Sequence, residues 1–272
     1  MPRLAIVIVN FNAREHLERC LASLATAPPA TSHAIAVVDN ASTDGSLEAI
    51  RERWPGVRVH AEPVNRGFAA ANNVAIRATR SELILLLNND TLVPAGAIDA
   101  LVAALDAHPA AAVAGPRLID AAGEPELSFG PMLSPLGELR QKGITALYHR
   151  RVEPAVEWVN RATHREQEVD WVSGACLLVR RTAAEAAGLL DERYFLYTED
   201  VDFCAAIRAR GHRILFAPAA EVVHLRGRSR ATAPAASAAA YRRSQLAFYA
   251  KHHPGWVGPL RLYLRLKGQL PR

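Results

Sequence analysis

Four short apolar runs, at residues 5–9, 34–38, 57–61 and 83–87, punctuate the start of the chain. The first, second and fourth are continuous, the pattern of a strand buried on both faces. Between them the apolar positions switch to helical spacing. Leu17, Cys20, Leu21 and Leu24 share one face, with Asn12 and Glu15 offering a cap-like start. Leu47 and Ile50 mark a second helix that stops at Trp54-Pro55-Gly56, and residues 68–76 form a third. Ile98, Leu101 and Leu105 mark a fourth, opening at Pro94 and stopping at His108-Pro109. This alternation predicts an α/β fold: a mostly parallel central sheet with helices on both faces.

Beyond residue 116 the rhythm weakens. Asp120-Ala121-Ala122-Gly123 predicts a turn between two short strands. Residues 124–168 mix Pro, Gly, Arg and His without a sustained period, and read as a partly mobile insert. Order returns with strand character over 169–179, helices over 182–187 and 200–209, and strands near 214–216 and 222–224. The tail from Ala231 is Ala-rich, then basic and aromatic, and predicts one or two helices. There is no internal repeat.

Composition narrows the class without choosing a function. A chain of 272 residues, 50% hydrophobic and 22% charged, builds one large domain or at most two small ones. The formal charge of +5 favours anionic partners: nucleotide phosphates, anionic lipid or nucleic acid. Scattered bases and the absence of a recognised motif count against nucleic acid. Cys20, Cys176 and Cys204 are far apart, with no CxxC or zinc spacing, so buried packing in a reducing cytoplasm is expected. The run Leu4-Ala5-Ile6-Val7-Ile8-Val9 is too short for a signal peptide core or a membrane span, so any membrane contact is expected to be peripheral, on the inner face.

Candidate chemistry gathers at the strand ends. The first four strands finish in Asn10-Phe11-Asn12, Asp39-Asn40, Asn65-Arg66-Gly67 and Asn88-Asn89-Asp90. Open α/β sheets bind ligands outside the carboxyl ends of their strands. Any one polar junction is ordinary turn chemistry. Four along one edge point to a polar ligand. The first junction holds no GxGxxG, and no Walker-A loop occurs, so neither standard phosphate cradle is present.

These junctions, in their order, resemble the inverting GT-A-type family 2 glycosyltransferases, and within them the bacterial rhamnosyltransferase-like branch. The resemblance rests on Val7-Ile8-Val9-Asn10-Phe11-Asn12, Val37-Val38-Asp39-Asn40-Ala41-Ser42-Thr43-Asp44-Gly45-Ser46, and Asn65-Arg66-Gly67-Phe68 with Asn72-Asn73. It continues through Leu86-Leu87-Asn88-Asn89-Asp90, Ser173-Gly174-Ala175, Tyr197-Thr198-Glu199-Asp200-Val201-Asp202 and Val223-His224. Each motif is weak alone; together, spanning about residues 4 to 229, they are specific.

The resemblance implies roles. Asp39 would contact the nucleotide base; an Asx turn competes, though Ser42 and Asp44 account for that turn better. Val9, Phe11, Asn12, Asn65, Gly67, Asn72, Asn89 and Arg228 would hold the nucleotide sugar. Asp90 stands in the family's DxD motif, whose first Asp is here Asn88, and with His224 would ligate a divalent cation, Mg2+ or Mn2+. A hydrogen-bonded structural histidine is the competing reading of His224. Asp200 would be the general base, with Glu199 the alternative, although acidic residues also favour helix starts for capping and dipole reasons. Trp171, Gly174 and Asp202 would line or support the sugar and acceptor pocket. The implied layout is a domain over residues 1–229, with a nucleotide half to about 116 and an acceptor half from 117, then a helical tail over 230–272. The implied reaction moves a sugar, L-rhamnose from dTDP-rhamnose before other UDP- or dTDP-sugars, to a glycan or lipid-linked acceptor with inversion. A catalytically silent nucleotide-sugar or glycan-binding protein is the competing function. The basic, aromatic tail would either rest on anionic lipid or pack on the domain or on a second subunit.

Overall fold

A computed structural model describes residues 1–225 and 234–271. The chain runs β1 (Leu4–Asn10), α1 (Arg14–Thr26), β2 (His33–Asp39), α2 (Ser46–Arg53), β3 (Arg58–Ala61), α3 (Phe68–Ala78), β4 (Leu83–Asn88), β5 (Thr91–Leu92), α4 (Ala97–Ala107) and β6 (Ala111–Ile119). The second half holds β7 (Phe129–Gly130), α5 (Pro135–His149), α6 (Glu153–Thr163), β8 (Gln167–Val169), β9 (Trp171–Val172), β10 (Cys176–Arg180), α7 (Arg181–Ala187), α8 (Glu199–Arg208) and β11 (Arg213–His224). Two helices follow, α9 (Pro234–His252) and α10 (Val257–Leu266).

Nine strands make one sheet, ordered β3-β2-β1-β4-β10-β6-β11-β5, with β8 added beside β11. β1 pairs in parallel with β2 and β4, and β11 with β6. β10 enters antiparallel between β4 and β6. Because side chains alternate across a strand, the continuous apolar runs feed two cores. Leu4, Ile6, Ile8, Leu83, Leu85 and Leu87 point toward α1 and α4, where Leu17, Leu21, Leu24, Ile98, Leu101 and Leu105 meet them. Val7, Ile84 and Leu86 belong to the other face, with Ile76 of α3, Phe203 and Ile207 of α8 and Phe248 of α9. Each fully buried Leu or Ile contributes about 1.5–3 kcal/mol. The expected sandwich of helices on both faces is what forms.

Two expectations need correction. Residues 124–168 are no loose insert, since β7, α5, α6 and the start of β8 occupy them. The strands expected near 214–216 and 222–224 are one strand, β11, with a register irregularity between Ala217 and Glu221. The three cysteines are buried free thiols whose burial raises their pKa values.

The C-terminal helix α9 is tied into this body. Asp202 of α8 accepts from Lys251 Nζ and faces His252 Nε2, both at 2.7 Å. Glu138 of α5 accepts from Gln245 and from the Tyr249 hydroxyl at 2.8 Å each. Both carboxylates are buried, and pairing is what makes such burial tolerable. Among the described residues no helix is long and apolar enough to cross a membrane.

Candidate active site

A cleft of about 1230 Å³ opens along the carboxyl ends of β1 and β4 and is closed on the far side by α5, α8 and the start of α9. Its edge along the ends of β1, β2 and β4 is a lattice of amides. Asn89 Nδ2 donates to Asn10 Oδ1 at 2.8 Å, and Asn10 Nδ2 donates to Asp39 Oδ1 and to Ser42 Oγ at 3.2 Å each. Asn40 Nδ2 bonds Asn65 Oδ1 at 2.9 Å and its Oδ1 accepts from the Arg66 amide at 3.0 Å. Four separate loops are thereby held in one arrangement before any ligand arrives.

Gly67 shows why a glycine is needed at the third junction. Its φ is +85°, and a Cβ there would sit 2.4 Å from the Phe195 carbonyl oxygen. The same carbonyl accepts from the Phe68 amide at 2.7 Å. This contact carries the segment before α8 across onto α3. That segment ends with Tyr197 and Thr198, both in the left-handed region at φ of 70° and 71°. Non-glycine residues rarely adopt it, and the strain turns the chain so that α8 opens into the cleft.

α8 begins with the two carboxylates. Asp200 Oδ2 accepts from the Gly174 amide and Oδ1 from its neighbour Val201, both at 2.8 Å. Gly174 matters for that reach, because a Cβ there would crowd the Asp200 Cβ at 3.2 Å. Burial pushes the Asp200 carboxyl above its ordinary range, with the amide hydrogen bonds opposing. Glu199 is 5% exposed, and its Oε2 is buried without a hydrogen-bond partner among the described residues. Burial, then the Asp200 charge, pushes Glu199 well above its ordinary value. Two adjacent carboxylates with unequal support titrate unequally: the amide-stabilised Asp200 gives up its proton before Glu199 does.

At the other end, Asp90 follows β4 and His224 ends β11. Asp90 Oδ1 lies 3.4 Å from His224 Nε2, and it makes no hydrogen bond among the described residues. His224 Nδ1 faces Glu126 Oε2 at 3.2 Å. Burial disfavours charge on His224, but the neighbouring Asp90 and Glu126 carboxylates prevail and lift its pKa to about 9. Burial raises the Asp90 carboxyl and His224 pulls it down, leaving it below its ordinary value.

Most expected site residues line this one cleft: Val9, Phe11, Asn12, Asn65, Gly67, Asn89, Asp90, Trp171, Gly174, Glu199, Asp200 and His224. Three do not. Asp39 is 2% exposed, with one oxygen taken by Asn10 and the other by the Ser42 amide at 3.0 Å, so it braces the edge rather than facing the cleft. Asn72 is buried in α3 and donates to the Phe68 carbonyl one turn back. Asp202 points away from the cleft, toward Tyr194, Lys251 and His252, and anchors α9. Arg228 lies outside the described residues. Missed by sequence reasoning were Glu126, His16, and the cleft-facing side of α5, including Glu138, Gln141 and Thr145. Those α5 positions share one helical face.

The family described as Glycosyltransferase like family 2 matches residues 2–258. The chain belongs to this glycosyltransferase family. It is 36% identical, over 96% of this chain and 89% of the relative, to an N-acetylglucosaminyl-diphospho-decaprenol L-rhamnosyltransferase of Mycobacterium tuberculosis. In three dimensions this glycosyltransferase is similar to a Pyrobaculum calidifontis mannosyltransferase solved with GDP-Man and Mn2+, with a TM-score of 0.65 at 20% identity, over 95% of this chain and 68% of that one. It is also similar to S. aureus TarS, with a TM-score of 0.59 at 17% identity, over 91% of this chain and 65% of that one. The glycosyltransferase therefore has the GT-A fold.

Proposed function

We propose that this glycosyltransferase moves L-rhamnose from dTDP-rhamnose to a lipid-linked glycan acceptor with inversion at the anomeric carbon. The observation that carries the mechanism is the shared cleft. It brings the Asp200 carboxylate, aimed by the Gly174 amide, to face the same space as Asp90 and His224. The choice of sugar and acceptor rests on the mycobacterial relative.

Asp200 removes the proton from the acceptor hydroxyl. That oxygen forms a bond to the anomeric carbon as the bond to the diphosphate breaks on the opposite side. Glu199, protonated beside it, adds no second negative charge to compete for the proton. The donor lies along the amide edge, on Val9, Phe11, Asn12, Asn65 and Asn89, with Trp171 and Gly174 at the sugar. Residues to about 116 form the donor half, and residues 117–229 the acceptor half, which α5 walls.

A divalent cation, Mg2+ or Mn2+, held by Asp90 and His224, would neutralise charge on the departing nucleoside diphosphate. The residues fit such an ion. Among the described residues the buried Asp90 Oδ1 has no hydrogen-bond partner, and it stands 3.4 Å from His224 Nε2, close to the roughly 3 Å between neighbouring ligands of an octahedral ion. Among the described residues no three His, Cys, Asp or Glu form a ready cage, so donor phosphates and water would have to supply the remaining ligands. Glu126 then holds the His224 ring by its other nitrogen. The protein works at the cytoplasmic side of the membrane that carries its acceptor.

The test is sugar transfer from a panel of dTDP- and UDP-sugars with Mg2+, Mn2+ or chelator. Metal-dependent release of dTDP from dTDP-rhamnose, abolished in Asp90→Ala and Asp200→Asn, is the expected result. Tight donor binding without turnover would contradict it.

A further inference from the structure

The charge of the chain is sharply divided. Residues 222–272 hold ten Lys and Arg and no Asp or Glu, which leaves 22 bases against 27 acids in the rest. The net positive charge belongs to the C-terminal segment, and the body is acidic. Such asymmetry within one chain marks a surface for an anionic partner.

Within that segment α10 has two apolar faces. Val257, Leu260 and Leu264, spaced i, i+3 and i+7, pack toward the domain, with Leu264 fully buried. The opposite side carries Leu262, Tyr263 and Leu266, 59%, 51% and 80% exposed, and Trp256 stands exposed just before the helix. Arg261, Arg265 and Lys267 flank this outer stripe. The expectation that the tail packs on the domain therefore explains one face of α10 and leaves the other open.

A second helix extends the surface. His253 Nε2 lies 2.8 Å from the Leu133 carbonyl, which sets the start of α10 beside the start of α5. There Leu136 and Leu139 are 77% and 70% exposed. By helical phase they lie, with Arg140 and Leu147, opposite the side of α5 that lines the cleft.

We infer that the outer face of α10, with the exposed leucines of α5, docks this glycosyltransferase on an anionic lipid surface. Bulky aliphatic and aromatic side chains between bases are the composition of an in-plane interfacial helix. A second copy is the weaker fit, because a two-fold contact would bring two acid-free basic segments together. Docking through α5 sets one wall of the cleft at the bilayer, where a lipid-linked acceptor presents its sugar. That catalytic role rests on the proposed acceptor; lipid binding itself does not.

The experiment is co-sedimentation with phosphatidylcholine vesicles, with and without phosphatidylglycerol, for the wild type, Leu262→Glu/Leu266→Glu and Arg261→Glu/Arg265→Glu. The wild type should bind the anionic vesicles and be released by salt. The leucine variant should lose at least about tenfold in partitioning. The arginine variant should lose roughly fivefold per residue and most of its preference for anionic lipid. Transfer to a water-soluble acceptor should be unchanged in the leucine variant, while transfer to a lipid acceptor in vesicles should fall. Wild type that ignores anionic vesicles, or variants that bind them equally, would overturn the inference. So would a leucine variant that turns a dimer into a monomer without changing vesicle binding. Failure of the wild type to use either acceptor, with vesicle binding intact, would count against the proposed reaction instead.

Discussion

The two walls of the cleft are built on opposite principles. On the donor side, Asn10, Asn12, Asp39, Asn40, Asn65 and Asn89 spend much of their hydrogen-bonding capacity on one another and on nearby backbone. On the other side, a buried Glu199 oxygen has no partner among the described residues, and Tyr197 and Thr198 hold left-handed backbone. A saturated network gives a rigid ledge that recognises a ligand by shape and a few remaining donors. Under-satisfied, strained groups are where protons move and charge develops. The comparison teaches that binding and chemistry are separable here, and variants should separate them.

The largest effect is expected from Asp200→Asn, which should lower kcat roughly 10²- to 10⁴-fold while leaving donor affinity and melting temperature near wild type. A matching loss of stability would place Asp200 in the scaffold instead. Gly67→Ala comes next. The 2.4 Å approach to Phe195 should force the segment before α8 away, costing about 1–3 kcal/mol in urea unfolding and lowering activity together. Glu126→Gln should weaken Mn2+ binding about 10- to 100-fold by calorimetry, because His224 loses a charged partner that orients its ring. Unchanged affinity would mean Glu126 serves only its own burial.

Smaller effects test the ledge. Asp39→Asn places an amide where the Ser42 backbone N–H now donates, and should cost about 1–3 kcal/mol without changing the preference between dTDP- and UDP-sugars. A change of donor preference instead would restore Asp39 as a base contact. In the metal-free protein, the His224 proton stabilises the fold fully below its ordinary pKa of 6.5, and that contribution fades as pH rises through about 9. Denaturation curves from pH 6 to 10 should show this decline in the wild type, and a shallower one in His224→Gln.

Much of this was legible in the chain because two-sided burial writes itself plainly. β1, β2 and β4 carry continuous apolar runs, and the polar ends of the first four strands gave the address of the cleft. α5 was illegible for a physical reason: its inner face is polar because it lines the cleft, and its outer face carries leucines, so the usual apolar stripe is inverted. β11 looked like two strands because Pro218 and small alanines interrupt its apolar pattern. Asp39, Asn72 and Asp202 sit at the right addresses but point elsewhere, and direction depends on partners such as Lys251 that lie far away in sequence. Glu126 had no periodic setting at all, and only its pairing with His224 identifies it.

The most direct test is single-turnover transfer from dTDP-rhamnose with saturating acceptor and Mg2+, comparing the wild type, Asp200→Asn and Glu199→Gln across pH. Asp200→Asn should lose at least about a hundredfold. Glu199→Gln, which carries a neutral hydrogen-bonding side chain, should stay within about tenfold of wild type. The wild-type rate should fall toward acid, with a midpoint above the ordinary carboxylate value because burial raises Asp200. An inactive Glu199→Gln beside an active Asp200→Asn would exchange the two roles and contradict the account.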